Sequence, residues 1–194
     1  MTAAAFLDRD GVINLDRAYV HRWEDFVFVP GAIDAISRLA DAGYRIVIVT
    51  NQSGIARGFY AEEQYFELTH RMLAVFAEQG IEITGVYHCP HHPAGSVKAF
   101  ARDCDCRKPG PGMLLRAAAE HGLSLADSIL IGDRSSDIAA ARSAGVGRAF
   151  LVRSDHVEPT TGLQPPDACF DDLAQCVDAL LSSSSRIPPC HPYA

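Results

Sequence analysis

The stretch YRIVIVT (44–50) constrains the fold of this chain more than any other. Ile46, Val47, Ile48 and Val49 stand in an unbroken apolar row. A strand with one wet face alternates apolar and polar residues. A row without alternation belongs to a strand covered on both faces, which is the habit of parallel sheets. Parallel neighbours cannot be joined by tight turns, so helices must intervene. The rest of the sequence meets that demand. AAAFL (3–7), ITGVYH (83–88), SILIG (128–132) and RAFLV (148–152) are further short apolar runs. Between them, residues 31–43, 61–80, 111–122 and 136–145 carry apolar side chains three and four apart, the spacing of a helix with one buried stripe. The helix at 111–122 opens near Pro111 and closes at Gly122, as helix boundaries favour. The pattern predicts an α/β fold, an open parallel sheet with helices on both faces. Ligands of such sheets bind beyond the carboxyl ends of the strands, so chemistry is expected there.

Length and charge narrow the class. The 194 residues fit one domain, expected over 1–183, and the Ser- and Pro-rich segment 184–194 is expected to be a flexible tail. A net charge of −7 argues against a nucleic-acid binder. The amino terminus, MTAAAFLDRDG, has no basic leader before an apolar stretch, and no run approaches the roughly 18 apolar residues of a membrane span. The expectation is a cytoplasmic monomer with no membrane or nucleic-acid partner. Its six cysteines then serve as reduced thiols or metal ligands.

Each polar cluster falls at a predicted strand end. FLDRDG puts Asp8 and Asp10 after the first strand, VTNQSG puts Thr50, Asn51 and Ser53 after the second, and LIGDRSSD puts Asp133 after a later one, with Asp137 a helical turn beyond. A single Asp after a strand is often only a turn former or helix cap. Several carboxylates converging on one sheet edge repel one another unless a cation sits among them. Hard oxygen ligands shared with a substrate phosphate suit Mg²⁺. Asp8 is then placed to attack phosphorus and form an aspartyl-phosphate. Asp10, two residues on, is placed to protonate the leaving oxygen and later to activate water. Thr50 and nearby amides would hold the phosphoryl oxygens.

In this order and at these spacings, DRDGV, TNQSG, RKP and GDRSSD resemble the haloacid dehalogenase (HAD) superfamily of phosphatases. The longer segments FLDRDGVIN, TNQSGIARG, CPHHPAGSV and CDCRKPGPGM are similar to its branch acting on heptose bisphosphates, and the resemblance runs over roughly residues 5–153. It implies a Rossmann-like sheet and a small-molecule sugar bisphosphate as substrate. The implied reaction is Mg²⁺-dependent hydrolysis of the 7-phosphate of a D-glycero-D-manno-heptose 1,7-bisphosphate, on the way to nucleotide-activated heptose and lipopolysaccharide core. At matching positions it implies Asp8 as nucleophile and Asp10 as general acid/base. Mg²⁺ would be held by Asp8, the Asp10 carbonyl and Asp133, and the phosphoryl group by Thr50 and Lys108. Substrate contacts map onto Asp8, Arg9 and Asp10, onto Asp16, Arg17, Ala18 and Tyr19, onto Thr50, Asn51, Gln52 and Ser53, and onto Arg107, Lys108 and Arg134. Arg134 stands where close relatives often carry Lys, and its fork can grip phosphate in a way Lys cannot.

Residues 88–112 carry His, Cys, Pro and Gly with no period, and are too long for an ordinary connection, so they read as a functional insertion. In an extended segment, residues two apart point the same way. Cys89 with a neighbouring histidine, and Cys104 with Cys106, can therefore each supply half of a tetrahedral Zn²⁺ site. Buried free thiols beside surface histidines are the plainer alternative. The resemblance, through Cys-x-His and Cys-x-Cys in this loop, favours Cys89, His91, Cys104 and Cys106 over a set containing His92. A closed set implies a structural zinc that fixes the segment ending in Arg107 and Lys108. Lys108 would then face the scissile phosphate and Arg107 the second one.

Blander roles are expected elsewhere: Cys169 and Cys176 as core thiols, Cys190 in the tail, His70 and His121 on helix surfaces, and Trp23 packing the first loop. Two other functions fit part of the pattern. A histidinol-phosphate phosphatase would share the carboxylates and the zinc loop. A non-enzymatic, zinc-stabilised phosphate-binding module would not need Asp8 and Asp10, and both are intact.

Overall fold

The computed structural model describes residues 1–153 and 165–182. Its strands are β1 (Ala4–Leu7), β2 (Arg45–Asn51), β3 (Ile83–Cys89), β4 (Ile129–Gly132), β5 (Arg148–Val152) and β6 (Ala168–Phe170). All pair in parallel, in the order β3-β2-β1-β4-β5-β6. The helices are α1 (Ala32–Asp41), α2 (Ser53–Arg57), α3 (Glu62–Glu78), α4 (Gly112–His121), α5 (Ser135–Ala144) and α6 (Leu173–Leu181).

The period of two in each strand sorts the core into two layers. Ala5, Leu7, Ile46, Ile48, Ile129 and Ile131 pack with α1, α3 and α6. Ala4, Phe6, Val47, Val49 and Leu130 pack with α4 and α5. Both sets are buried, which is why the strands read as unbroken apolar rows. Two features were not anticipated: α2, whose five residues are too few to show a period, and a 3-10 turn at Trp23–Asp25.

The topology positions the site. The chain lays β2 and β3 to one side of β1 and then crosses to place β4 on the other. At that reversal the ends of β1 and β4 lie side by side, with the Asp8 N–H donating to the Ile131 carbonyl at 3.0 Å. A crevice at the carboxyl ends of the two strands follows from this order.

Cys176 is a fully buried thiol, as expected. Cys169 departs from expectation: it is half-buried and disulfide-bonded. It sits on edge strand β6 between Ala168 and Phe170, whose side chains take the core face, so the strand's alternation turns Cys169 the other way. The expected tail at 184–194 and Cys190 also lie outside the described residues. His70 and His121 are exposed, and Trp23 stacks on Phe26 with ring centroids 5.4 Å apart. Among the described residues no helix is long and apolar enough to cross a membrane.

Candidate active site

A cavity of about 530 Å³ opens at the carboxyl edge of the sheet, lined among others by Asp8, Asp10, Thr50, Lys108 and Asp137. Lys108 is buried, and its Nζ lies 3.0 Å from Asp8 Oδ1, 2.6 Å from Asp137 Oδ1 and 2.8 Å from the Val49 carbonyl. Asp8, Asp133 and Asp137 are buried together, each with a carboxylate oxygen within 4.8 Å of the others. Two glycines make room for this crowding. A Cβ on Gly11, which has φ +86°, would meet Asp133 Oδ2, and one on Gly132 would meet the Asp137 side chain. Burial, reinforced by Asp137 and Asp10 and opposed by Lys108, pushes the Asp8 carboxyl up to about 7. Burial alone would lower Lys108, but Asp137 and Asp8 outweigh it and hold its ammonium above the usual lysine range.

The donor set fits a hard divalent cation. Asp8, Asp10, Asp133 and Asp137 bring four negative charges, and Arg9 and Lys108 bring two positive ones. The remainder equals the charge of one divalent ion, and all donors are oxygens. The side chain that joins Asp8 and Asp133 is Asp137, one turn into α5, where it also caps the helix by accepting from the Arg134 N–H at 3.0 Å. The Asp10 carboxylate is engaged elsewhere. It accepts from Arg9 Nη2 at 2.8 and 3.0 Å, from Asn14 Nδ2 at 3.0 Å and from Gln52 Nε2 at 3.0 Å.

Two of the expected substrate contacts do not line the cavity. The Arg9 side chain is 1% exposed and lies behind the cavity wall. Its guanidinium is compensated there by Asp10, by the Val20 carbonyl at 2.9 Å and by the Tyr65 ring. The Arg17 side chain is exposed and does not line the cavity, because the loop turns it outward. Asp16, Ala18, Tyr19, Asn51, Gln52, Ser53, Arg107 and Arg134 do line it. Arg134 bonds Asp16 at 3.1 Å, joining the start of α5 to the loop after β1. In that loop Ala18 and Tyr19 take left-handed backbone conformations, φ 58° and 56°.

The Cys/His residues meet beside this cavity. Cys89, Cys104 and Cys106 have Sγ separations of 3.2–3.5 Å, and His91 Nδ1 lies 3.4 Å from Cys106 Sγ and 3.8 Å from Cys89 Sγ. These are close to the edges of a tetrahedron built on Zn–S bonds of about 2.3 Å. Burial raises the Cys89 thiol well above the ordinary cysteine range and pushes Cys106 up as well, so their thiolates call for a compensating cation. His92 turns away to Arg57, 3.1 Å distant. The loop is tied to β2 by Asn51, whose Nδ2 donates to the Lys108 carbonyl and whose Oδ1 accepts the Lys108 N–H.

The HAD-hydrolase-like family model matches residues 105–176. Over 177 residues the chain is 49% identical to the D-glycero-beta-D-manno-heptose-1,7-bisphosphate 7-phosphatase of Escherichia coli K12, covering 91% of this chain and 93% of that one. The chain belongs to the HAD-like phosphatase family. A relative in Photorhabdus laumondii, a phosphatase of the alpha anomer, is 47% identical over 158 residues, 80% of this chain and 86% of that one. A solved structure of D,D-heptose 1.7-bisphosphate phosphatase from B. bronchiseptica, complexed with magnesium and phosphate, superposes with a TM-score of 0.78 at 32% identity, covering 92% of this chain and 98% of that one. This HAD-like phosphatase is therefore a phosphoric monoester hydrolase, and enzymes of its family use a divalent metal.

Proposed function

We propose that the chain removes the 7-phosphate of D-glycero-D-manno-heptose 1,7-bisphosphate, releasing heptose 1-phosphate for nucleotide-activated heptose and lipopolysaccharide core. One observation carries the reading. A buried carboxylate, Asp8, faces a buried cation, Lys108, in a cavity whose rim holds two further cations, Arg107 and Arg134. One cationic group serves the phosphate being cleaved, and the others serve a second phosphate on the same sugar.

The mechanism follows from the side chains. Asp8 attacks phosphorus and forms an aspartyl-phosphate. Lys108 and the Thr50 hydroxyl hold the phosphoryl oxygens as charge builds on them. Asp10 gives a proton to the leaving sugar oxygen and then takes one from the water that hydrolyses the intermediate. Asp8, Asp133 and the Asp10 carbonyl, with Asp137 beside them, would hold Mg²⁺, which would supply charge neutralisation at the phosphoryl group. Cys89, His91, Cys104 and Cys106 would hold Zn²⁺ and with it keep the loop that carries Arg107 and Lys108 in place.

The test is phosphate release, with Mg²⁺, from the α and β anomers of the heptose bisphosphate, from fructose 1,6-bisphosphate and from histidinol phosphate in parallel. A heptose anomer is expected to give the highest kcat/KM. Preference for histidinol phosphate would overturn the substrate assignment, and release from none would leave the phosphate-binding module as the better account.

A further inference from the structure

Tyr60 belongs to none of the sequence motifs, yet it is buried at the wall of the catalytic cavity, 6% exposed. Its hydroxyl donates to Gln52 Oε1 at 2.6 Å. Arg9 Nη2, which can only donate, and the Asp10 carboxylate, which can only accept, set which way the Gln52 amide faces, and the Tyr60 hydroxyl anchors that orientation. With Oε1 turned to Tyr60, and to Arg9 Nη2 at 3.3 Å, both amide protons point to the reacting side. Gln52 Nε2 then donates to Thr50 Oγ1 at 2.8 Å and to Asp10 Oδ2 at 3.0 Å. Since Thr50 Oγ1 accepts here, its own proton is left for a phosphoryl oxygen. The reverse flip would set the amide oxygen against the Asp10 carboxylate and an amide proton against the Arg9 guanidinium, which can only donate. Tyr60 also reaches the loop after β1. Its ring stacks on His21, with centroids 4.8 Å apart and planes 5° from parallel, and His21 Nδ1 lies 2.8 Å from the Tyr19 carbonyl.

We propose that Tyr60 is a positioning residue that, through the Gln52 amide, holds the Asp10 carboxyl in register with the leaving oxygen of the substrate. The proposal rests on the acid/base role of Asp10 given above. Burial raises the Tyr60 phenol above its ordinary value, so it remains a neutral donor throughout the neutral range. The effect should fall on the step in which the P–O bond to the sugar breaks, the Asp8–P bond forms and the Asp10 proton passes to the departing oxygen. A nitrophenolate leaves without that proton, so an activated aryl ester should lose only what passes through Thr50, less than the bisphosphate loses.

The experiment compares kcat/KM, which reports events up to leaving-group departure, on heptose 1,7-bisphosphate and on p-nitrophenyl phosphate. Tyr60→Phe removes one oxygen and keeps the ring. It should lower kcat/KM on the bisphosphate about three- to tenfold, the worth of one neutral hydrogen bond, and change the aryl ester by less than about twofold. In a Gln52→Ala background the same substitution should have no further effect on the bisphosphate, because the two residues act as one unit. Equal losses on both substrates, no loss on either, or an undiminished loss in the Gln52→Ala background would each overturn the proposal. Asp10→Asn separates the two levels. If it spares the bisphosphate, the acid/base reading itself fails. If it shows the leaving-group dependence while Tyr60→Phe does not, only the role of Tyr60 falls.

Discussion

Asp8, Asp133 and Asp137 stand at the ends of hydrogen-bonded strands and in the first turn of a helix, whereas Cys89, His91, Cys104 and Cys106 are gathered from one strand end and a loop without strand or helix. The first cluster is aimed by the sheet. Parallel β1 and β4 fix their own ends, and Gly11 and Gly132 leave the space in which the carboxylates crowd. Beyond Cys89, which closes the β3 ladder opposite Asn51, the second cluster has no ladder beneath it. Ordering a segment of that length opposes folding by roughly 1–2 kcal/mol per residue, offset by the four ligands, by Asn51, by turns within the loop and by one backbone bond to α2, from the Val97 N–H to the Ala56 carbonyl. One cluster therefore carries reactivity that the fold already paid to assemble, and the other carries the shape of a loop that the fold alone would leave loose.

That contrast can be broken experimentally. The largest effect is expected at the nucleophile. Asp8→Asn keeps the shape and removes the attacking charge, so turnover should fall at least about a thousandfold while circular dichroism and zinc content stay unchanged. Comparable turnover in this variant would remove the covalent route. A smaller loss is expected from the other cluster. Cys104→Ser should lose zinc and misplace Lys108 and Arg107 by an ångström or so, lowering kcat/KM about a hundredfold with KM raised. Metal analysis and kinetics on the same preparation check this, and full zinc with full activity would sever the loop from the site. The smallest effect is a slope. Below about 7, Asp8 carries a proton that a bound cation must displace. Mg²⁺ affinity measured by calorimetry should therefore rise about tenfold per pH unit up to about pH 7 and level off above it. Asp8→Asn should flatten that slope and Cys104→Ser should leave it intact.

The scaffold was legible because the central β-strands are covered on both faces and each long helix on one, so burial writes itself into residue spacing. Asp8 and Thr50 could be brought together from their places at strand ends, whereas Lys108, in the loop between β3 and α4, was placed only by the family resemblance. Arg9 could not be placed, because once a strand has ended its alternation no longer says which side chain turns inward. Asp137 was visible as a residue one turn along a helix, but an aspartate there ordinarily caps, and only the 2.6 Å contact to Lys108 distinguishes it. Tyr60 gave no signal at all. It lies between two helices, and what matters is its hydroxyl meeting an amide eight residues earlier across a turn. Cys169 was misread because a short edge strand presents one face to less cover than a central strand does.

The left-handed pair Ala18–Tyr19 has a consequence for how a substrate is met. A non-glycine residue in that region carries about 1–3 kcal/mol of backbone strain. Here the conformation is held by Asp16 accepting the Ala18 N–H, by the Asp16–Arg134 bond, by His21 at the Tyr19 carbonyl and by the Tyr19 ring against Phe59. The shaping of this wall is completed at folding, before any sugar arrives. Binding is thereby relieved of the ordering entropy that a loose loop would charge to every encounter, and affinity reports the quality of contacts made against a preorganised surface. Association need not wait for a loop to close, so the encounter rate is free to approach what diffusion and the charged rim allow.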